Sequence, residues 1–485
     1  MKKVTVLYVC LFFNYCFGQT INTSTIDSLL QLYRNLNWNG VVFAGTSDSL
    51  MYKRAFGFAN VEHQLLMDTS TLFKTESVGK MFTAVRIMQL MQQQKLNAGS
   101  TVKELLPDWQ IPNADRIQVQ HLLAHRSGLT SPWDHPDYSF DKSYSYTDSK
   151  RMIETAPLRF TDPGTAFAYS NSAYVLLAEI ISRIDGITFE ESIRKHIFIP
   201  AGMTHTFVLR DSILPHNAAR PYYQITASQF IKDETKYAEG KASGAGGWMS
   251  TAGDLFRFAQ AYLNHVYLPQ EWMHKQLTND GTIADTSVQW RFGLMPLSTR
   301  LKEEVIVGHN GGGRGFSVDV FFDVNRKHIV VFCSNQWGTG YGLTGRVFAS
   351  ISKRSFKAPI HSNEIRLCSY LIQEGTALFL LQPDSVLKSL DVPATERVML
   401  NVFDNLALLH KYDEAADVIT VVRKFFPQRA WVWMRSADNA VTRKRIKEAA
   451  LFYESALQLA IENKEQGLIE MIRKKQKDII DAVAG

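Results

Sequence analysis

Strand-type alternation disappears from this 485-residue sequence near Arg366 and does not return. Upstream, runs rich in β-branched and aromatic residues alternate with helical spacings. Downstream, apolar residues recur only at three- and four-residue intervals. A break of that kind excludes one uniform architecture. The length, beyond what a single hydrophobic core usually supports, points the same way. The upstream part reads as α+β, an antiparallel sheet flanked by helices over residues 22–356. After a linker at 357–364, residues 365–485 read as an all-α, repeat-like domain.

Within the first part the pattern predicts strands over 40–46 and 50–56, a hairpin around Ser47-Asp48-Ser49. Three later strands are expected over 304–308, 315–322 and 329–334. Helices are expected over 77–95, 119–125, 172–184, 254–263 and 343–356. Met81, Val85, Met88 and Met91 lie on one side of the first of these, where methionine is core filling. In the second part Tyr412-Asp413-Glu414-Ala415-Ala416 recurs as Ile446-Lys447-Glu448-Ala449-Ala450, an offset of 34 residues. That is the tetratricopeptide period, in which helix pairs stack in series. Two such units cannot bury a solenoid core alone. They are expected to pack on neighbouring helices or the first domain, or to bind a protein partner.

Composition excludes several function classes. The formal net charge is only +6, and basic and acidic residues balance from His361 onward, so no nucleic-acid partner is expected. Met1-Lys2-Lys3, the apolar run 4–13 and small residues at Cys16 and Gly18 read as a secretory leader, 1–18, cut before Gln19. The run is too short for a stable membrane anchor. The expected product is exported, periplasmic or extracellular, and keeps only Cys333 and Cys368. His121 and His125 have metal-ligand spacing on a helix. A zinc hydrolase of the usual type needs glutamate where Leu122 stands, so neither a metal nor another cofactor is expected.

Three segments carry chemistry. Ser77-Val78-Gly79-Lys80 sets a hydroxyl and an amine on one face at a helix start. A serine needs a neighbouring base, and lysine serves when burial or nearby cations keep it neutral. Other pairs, such as Ser100/Lys103 and Ser192/Lys195, share the spacing but do not follow an extended stretch like Leu72-Phe73-Lys74. Tyr169-Ser170-Asn171 follows the turn signal Asp162-Pro163-Gly164 and precedes a helix, so its side chains can face a cleft. A phenol beside an ammonium is expected to have a lowered pKa and to relay a proton, and Asn171 to bond a substrate carbonyl. The third segment, Gly308-His309-Asn310-Gly311-Gly312-Gly313-Arg314-Gly315, lies between or along two strands. There a bare backbone lets substrate approach closely.

In this order the three segments resemble the class C β-lactamase and penicillin-binding-protein-like serine hydrolase superfamily. Further likeness lies in His121-Leu122-Leu123-Ala124-His125-Arg126-Ser127-Gly128-Leu129, in Pro200-Ala201-Gly202-Met203 and in Gly244-Ala245-Gly246-Gly247-Trp248-Met249-Ser250. The resemblance implies that Ser77 is acylated, Lys80 accepts its proton and Tyr169 passes it to the leaving group. It implies that Asn171, His309 and Asn310 meet substrate, and that the N–H groups of Ser77 and Gly312 hold the oxyanion. The expected activity is acyl transfer from a small ester or peptide to water. Two alternatives stand beside it. One is a β-lactamase or D-alanyl-D-alanine carboxypeptidase; the other is a slow peptidoglycan-binding sensor with a helical partner-binding domain. His309 stands where the β-lactamases and carboxypeptidases carry a lysine that attracts the substrate carboxylate. Weak turnover of penicillins and cephalosporins is therefore expected.

Overall fold

Val41 to Ala44 alternate their side chains between two apolar layers, and that alternation builds the centre of the protein. The computed structural model of the chain describes residues 23–135, 137–138, 146–210, 214–233, 243–278, 290–297, 305–313, 315–337, 340 and 342–484. The expected leader over 1–18 and Arg314 lie outside the described residues. Among those described, six strands form one antiparallel sheet. They are β1 (Gly40–Thr46), β2 (Leu50–Phe56), β3 (Met295–Pro296), β4 (Ile306–Gly313), β5 (Phe316–Asp323) and β6 (His328–Ser334). Their spatial order is β2-β1-β6-β5-β4-β3. The β1–β2 hairpin has the bounds expected from sequence.

Val42, Ala44, Val330 and Phe332 face helices α1 (Thr23–Arg34) and α5 (Leu343–Ile351). Val41, Phe43, Ile329 and Val331 face the larger core. That core contains α2 (Gly79–Gln92), α3 (Asn171–Asp185) and α4 (Ala252–Leu263). Every residue of α2 from Gly79 to Met91 is buried, so this helix is the hub of the layer rather than a surface helix. Its methionines are core filling.

Several expected element bounds change; the helices expected over 119–125 and 343–356 end at Leu123 and Ile351. The helix expected over 77–95 is shorter, because Glu76 takes φ +45° and Glu76–Val78 form a separate 3-10 turn. Ser77 therefore precedes α2 instead of opening it. The strand expected to end at Gly308 continues to Gly313, pairing Gly311 with Val318 and Gly312 with Ser317. Glycine permits this path, since a Cβ on Gly308 would lie 2.0 Å from the carbonyl oxygen of Val320.

Beyond the irregular stretch 354–362 the chain is helical. The longer helices are α6 (Asn363–Glu374), α7 (Glu396–Leu408), α8 (Tyr412–Phe425), α9 (Ala430–Thr442), α10 (Ile446–Glu462) and α11 (Gln466–Ala484). α8 and α10 begin 34 residues apart, matching the sequence offset. This region does not stand clear of the sheet domain. The strands Tyr222–Gln224 and Phe230–Lys232 pair as a hairpin, and Ile225 at its tip is buried with Leu367, Cys368, Leu371 and Val402. The N–H of Ala227 donates to Ser369 Oγ at 3.1 Å. Cys333 and Cys368 are both buried free thiols. Among the described residues no helix is long and apolar enough to cross a membrane.

Candidate active site

The extended segment Leu72–Lys74 pairs with Met249–Thr251, and the N–H of Thr75 donates to the carbonyl of Trp248 at 2.9 Å. The chain then tightens into the 3-10 turn and enters α2, leaving Ser77 half-buried against the helix N-terminus. The partial positive charge there favours negative charge developing at Ser77. The glycine-rich segment before Met249 exists to fit this turn. A Cβ on Gly246 would lie 2.7 Å from the carbonyl oxygen of Glu76, and Thr83 Oγ1 donates to the carbonyl of Gly244 at 2.8 Å.

Lys80 is fully buried. Its Nζ lies 3.0 Å from Ser77 Oγ, 2.6 Å from Asn171 Oδ1 and 2.9 Å from the carbonyl oxygen of Ala245. Burial holds its pKa well below the usual 10.5, and the carboxylate of Glu76 opposes that only in part. A neutral amine has two hydrogens and one lone pair. The oxygens of Asn171 and Ala245 can only accept, so they take the hydrogens. The lone pair is left facing the Ser77 hydroxyl.

Tyr169 completes the cluster, its Oη donating to Ser77 Oγ at 3.0 Å. The expectation of a lowered phenol pKa is not met. Burial raises it well above the usual 10, and the bond with Ser77 offsets this only partly. The reason is burial of the phenol itself, which disfavours the charged phenolate. Tyr169 therefore rests as a proton-bearing phenol.

The segment bearing Tyr169 is held by His125, which stacks on the Tyr169 ring at 4.3 Å. Its Nδ1 accepts from the N–H of Ser170 at 3.1 Å and its carbonyl from the N–H of Ala168. Asn171 is buried and held by Ser131, whose Oγ accepts from Asn171 Nδ2 at 3.0 Å. With its oxygen given to Lys80, any role toward a substrate carbonyl rests on the second amide hydrogen of Asn171. Ser131 and Trp290, whose ring lies 5.6 Å from Tyr169 and 5.3 Å from His309, were not singled out in the sequence. Neither stands in a periodic or motif context that would reveal it.

Strand β4 closes the other side. A Cβ on Gly311 would lie 2.2 Å from the carbonyl oxygen of Thr75 and 3.2 Å from the backbone nitrogen of Ser77, so the bare strand passes directly along the Ser77 turn. Strand alternation separates the expected substrate residues. His309 is buried, whereas Asn310 and Gly312 are exposed. Burial and the proximity of Lys80 lower the His309 pKa to about 3. Its Nδ1 lies 2.5 Å from the carbonyl oxygen of Asn310, which can only accept, so Nδ1 carries the hydrogen. Nε2 is thus a lone-pair acceptor, and it has no partner among the described residues.

The cluster places one hydroxyl between a base and a proton donor beside a bare strand edge, the arrangement needed for nucleophilic acyl transfer. Among the described residues no group of three or more His, Cys, Asp and Glu is placed to hold a metal ion.

Residues 31–350 match the family model described as Beta-lactamase. Penicillin-binding protein 4* of Bacillus subtilis is 27% identical over 376 residues, covering 70% of this chain and 81% of the relative. Teichoic acid D-alanine hydrolase of Staphylococcus aureus is 23% identical over 335 residues, covering 68% and 78%. Among solved structures, D-amino acid amidase from Ochrobactrum anthropi SV3 complexed with D-phenylalanine superposes with a TM-score of 0.59 at 21% identity. That match covers 68% of this chain and 99% of the other, and it speaks to the fold alone.

Proposed function

Because the chain belongs to the Beta-lactamase family and is a serine hydrolase, we propose that it cleaves small esters or amides through an acyl-enzyme formed on Ser77. One observation carries the reading. Ser77 Oγ lies 3.0 Å from the buried Lys80 Nζ and 3.0 Å from Tyr169 Oη. In the first half-reaction the Ser77 oxygen bonds to the substrate carbonyl carbon while Lys80 Nζ takes its proton. The oxyanion is held by the N–H groups of Ser77 and Gly312. The tetrahedral adduct collapses as the bond to the leaving group breaks, with the Tyr169 phenol delivering a proton to it and recovering one from Lys80. Water then attacks the acyl carbon as Lys80 again accepts a proton; the Ser77 Oγ–acyl bond breaks, Ser77 takes that proton back from Lys80, and the carboxylic acid leaves.

The neutral acceptor Nε2 of His309 offers no attraction to a carboxylate, which favours substrates without one beside the scissile bond over penicillins. The relatives' names, D-amino acid amidase and teichoic acid D-alanine hydrolase, point to amides and esters of small amino acids. The reading also takes residues 1–18 as an export leader. It takes 22–356 as the hydrolase domain and 365–485 as a tetratricopeptide-like helical domain.

A fluorophosphonate probe tests the central claim. The expected outcome is covalent labelling of the wild-type protein and loss of labelling in Ser77→Ala. Folded wild-type protein that is not labelled would falsify the reading.

A further inference from the structure

Gly312 lacks a side chain where the six-membered ring of an indole needs the room. A Cβ on Gly312 would lie 2.1 Å from Trp337 Cζ3, 2.9 Å from Cη2 and 3.2 Å from Cε3. The ring therefore packs on the backbone of the residue proposed to supply an oxyanion N–H. It nevertheless remains 44% exposed, which leaves its free face open to a flat apolar partner. We propose that Trp337 is a specificity-determining wall of the site, stacking on aromatic or flat apolar side chains of the substrate's acyl group. This rests on the serine hydrolase reading above.

The surroundings of Trp337 are built to hold the ring in place. Gln336 and Trp337 form a short strand pairing in parallel with Tyr222 and Tyr223. The Gln336 side chain is fully buried. Its Oε1 accepts from the N–H of Asn39 and its Nε2 donates to the carbonyl of Asn37, both at 2.8 Å. Ser317 Oγ donates to the carbonyl of Gln336 at 3.1 Å. The residue before the ring is thus locked to three separate segments while the ring itself stays open to solvent. Binding on such a surface loses little conformational freedom, because the ring is already positioned.

The same short strand links the site to the helical region. Its partner strand belongs to the hairpin whose tip, Ile225, is buried among α6 and α7. The C-terminal helices therefore buttress the element that presents Trp337.

The test compares kcat/KM for p-nitrophenyl phenylacetate and p-nitrophenyl acetate in Trp337→Ala, Trp337→Leu and Trp337→Phe. The phenylacetate-to-acetate ratio is expected to fall about 10-fold in the alanine and leucine variants, mainly through KM, and to persist in the phenylalanine variant. Leucine keeps apolar volume without a ring, so the comparison survives if the alanine variant does not fold. A ratio unchanged in both ring-deleted variants, or one lost equally in Trp337→Phe, overturns the proposal. Fluorophosphonate labelling run in parallel separates the two levels. Labelled variants with an unchanged ratio overturn Trp337 alone, whereas unlabelled wild-type protein overturns the hydrolase reading on which it rests.

Discussion

The two regions of the chain differ in how much polar chemistry they bury. In the helical region several ion pairs lie at the rim. Arg443 and Asp413 pair at 2.7 Å with the carboxylate side chain 83% exposed, and Arg429 pairs with Glu396 at 2.8 Å on an open face. Its interior is built from residues such as Val418, Val422, Ala449, Ala456 and Ala460. In the sheet domain an amine, a phenol and two imidazoles are drawn into the core around one serine. Charge at the rim contributes little because water screens it. Burial in the core changes protonation states, and that makes a reactive site from ordinary side chains.

The strongest break of this contrast is at Lys80. Lys80→Met should lower kcat for p-nitrophenyl acetate by about 10²–10⁴, as expected for loss of a general base. A near-wild-type rate would exclude Lys80 from that role. The same variant reports on burial. Folded Lys80 is deprotonated well below 10.5, whereas the unfolded chain holds the proton until about that pH. The unfolded state then binds more protons, so this contribution to stability rises with pH. It is fully present above 10.5 and is lost as pH falls toward the folded value. Urea midpoints at pH 7, 8 and 9 should show the wild type gaining on Lys80→Met by up to about 1.4 kcal/mol per pH unit. Parallel curves would mean that Lys80 is charged in the folded protein.

A second prediction sharpens the electrostatics of β4. With His309 neutral, p-nitrophenyl acetate should be hydrolysed faster than nitrocefin. Comparable or greater nitrocefin turnover would show that the site attracts a carboxylate after all. The smallest effect belongs to the other half of the molecule. Asp413→Ala should change folding stability by less than about 1 kcal/mol and leave ester hydrolysis unchanged. A larger loss in thermal unfolding would mean that the rim pairs of the repeat do more than decorate a solvated turn.

Much of this architecture was legible from local pattern. The hairpin at 40–56 follows from its alternation and turn residues, and the 34-residue offset predicts where α8 and α10 begin. Ser77, Lys80 and Tyr169 stood out because each lies at a junction between extended chain and helix, and the structure brings all three together. Other features were not legible. The 3-10 turn that carries Ser77 is entered through a positive φ at Glu76, which no side-chain pattern announces. The run of β4 through its glycines depends on Thr75 and Glu76 lying against it, more than 230 residues away in sequence. Ser131, Trp290 and Trp337 matter through contacts with distant segments, and single residues without a period leave no signal.

The sequence by itself determined the elements, their order and the chemical identity of the groups at Ser77, Lys80, Tyr169 and His309. The tertiary structure decided which of these groups carry protons. Local spacing allowed an ammonium beside a lowered phenol. The folded core instead lowers the amine's pKa and raises the phenol's, because α3, the 244–250 segment and His125 remove water from around them. Desolvation belongs to a place in the fold rather than to a residue, so it appears only when distant segments close around the site.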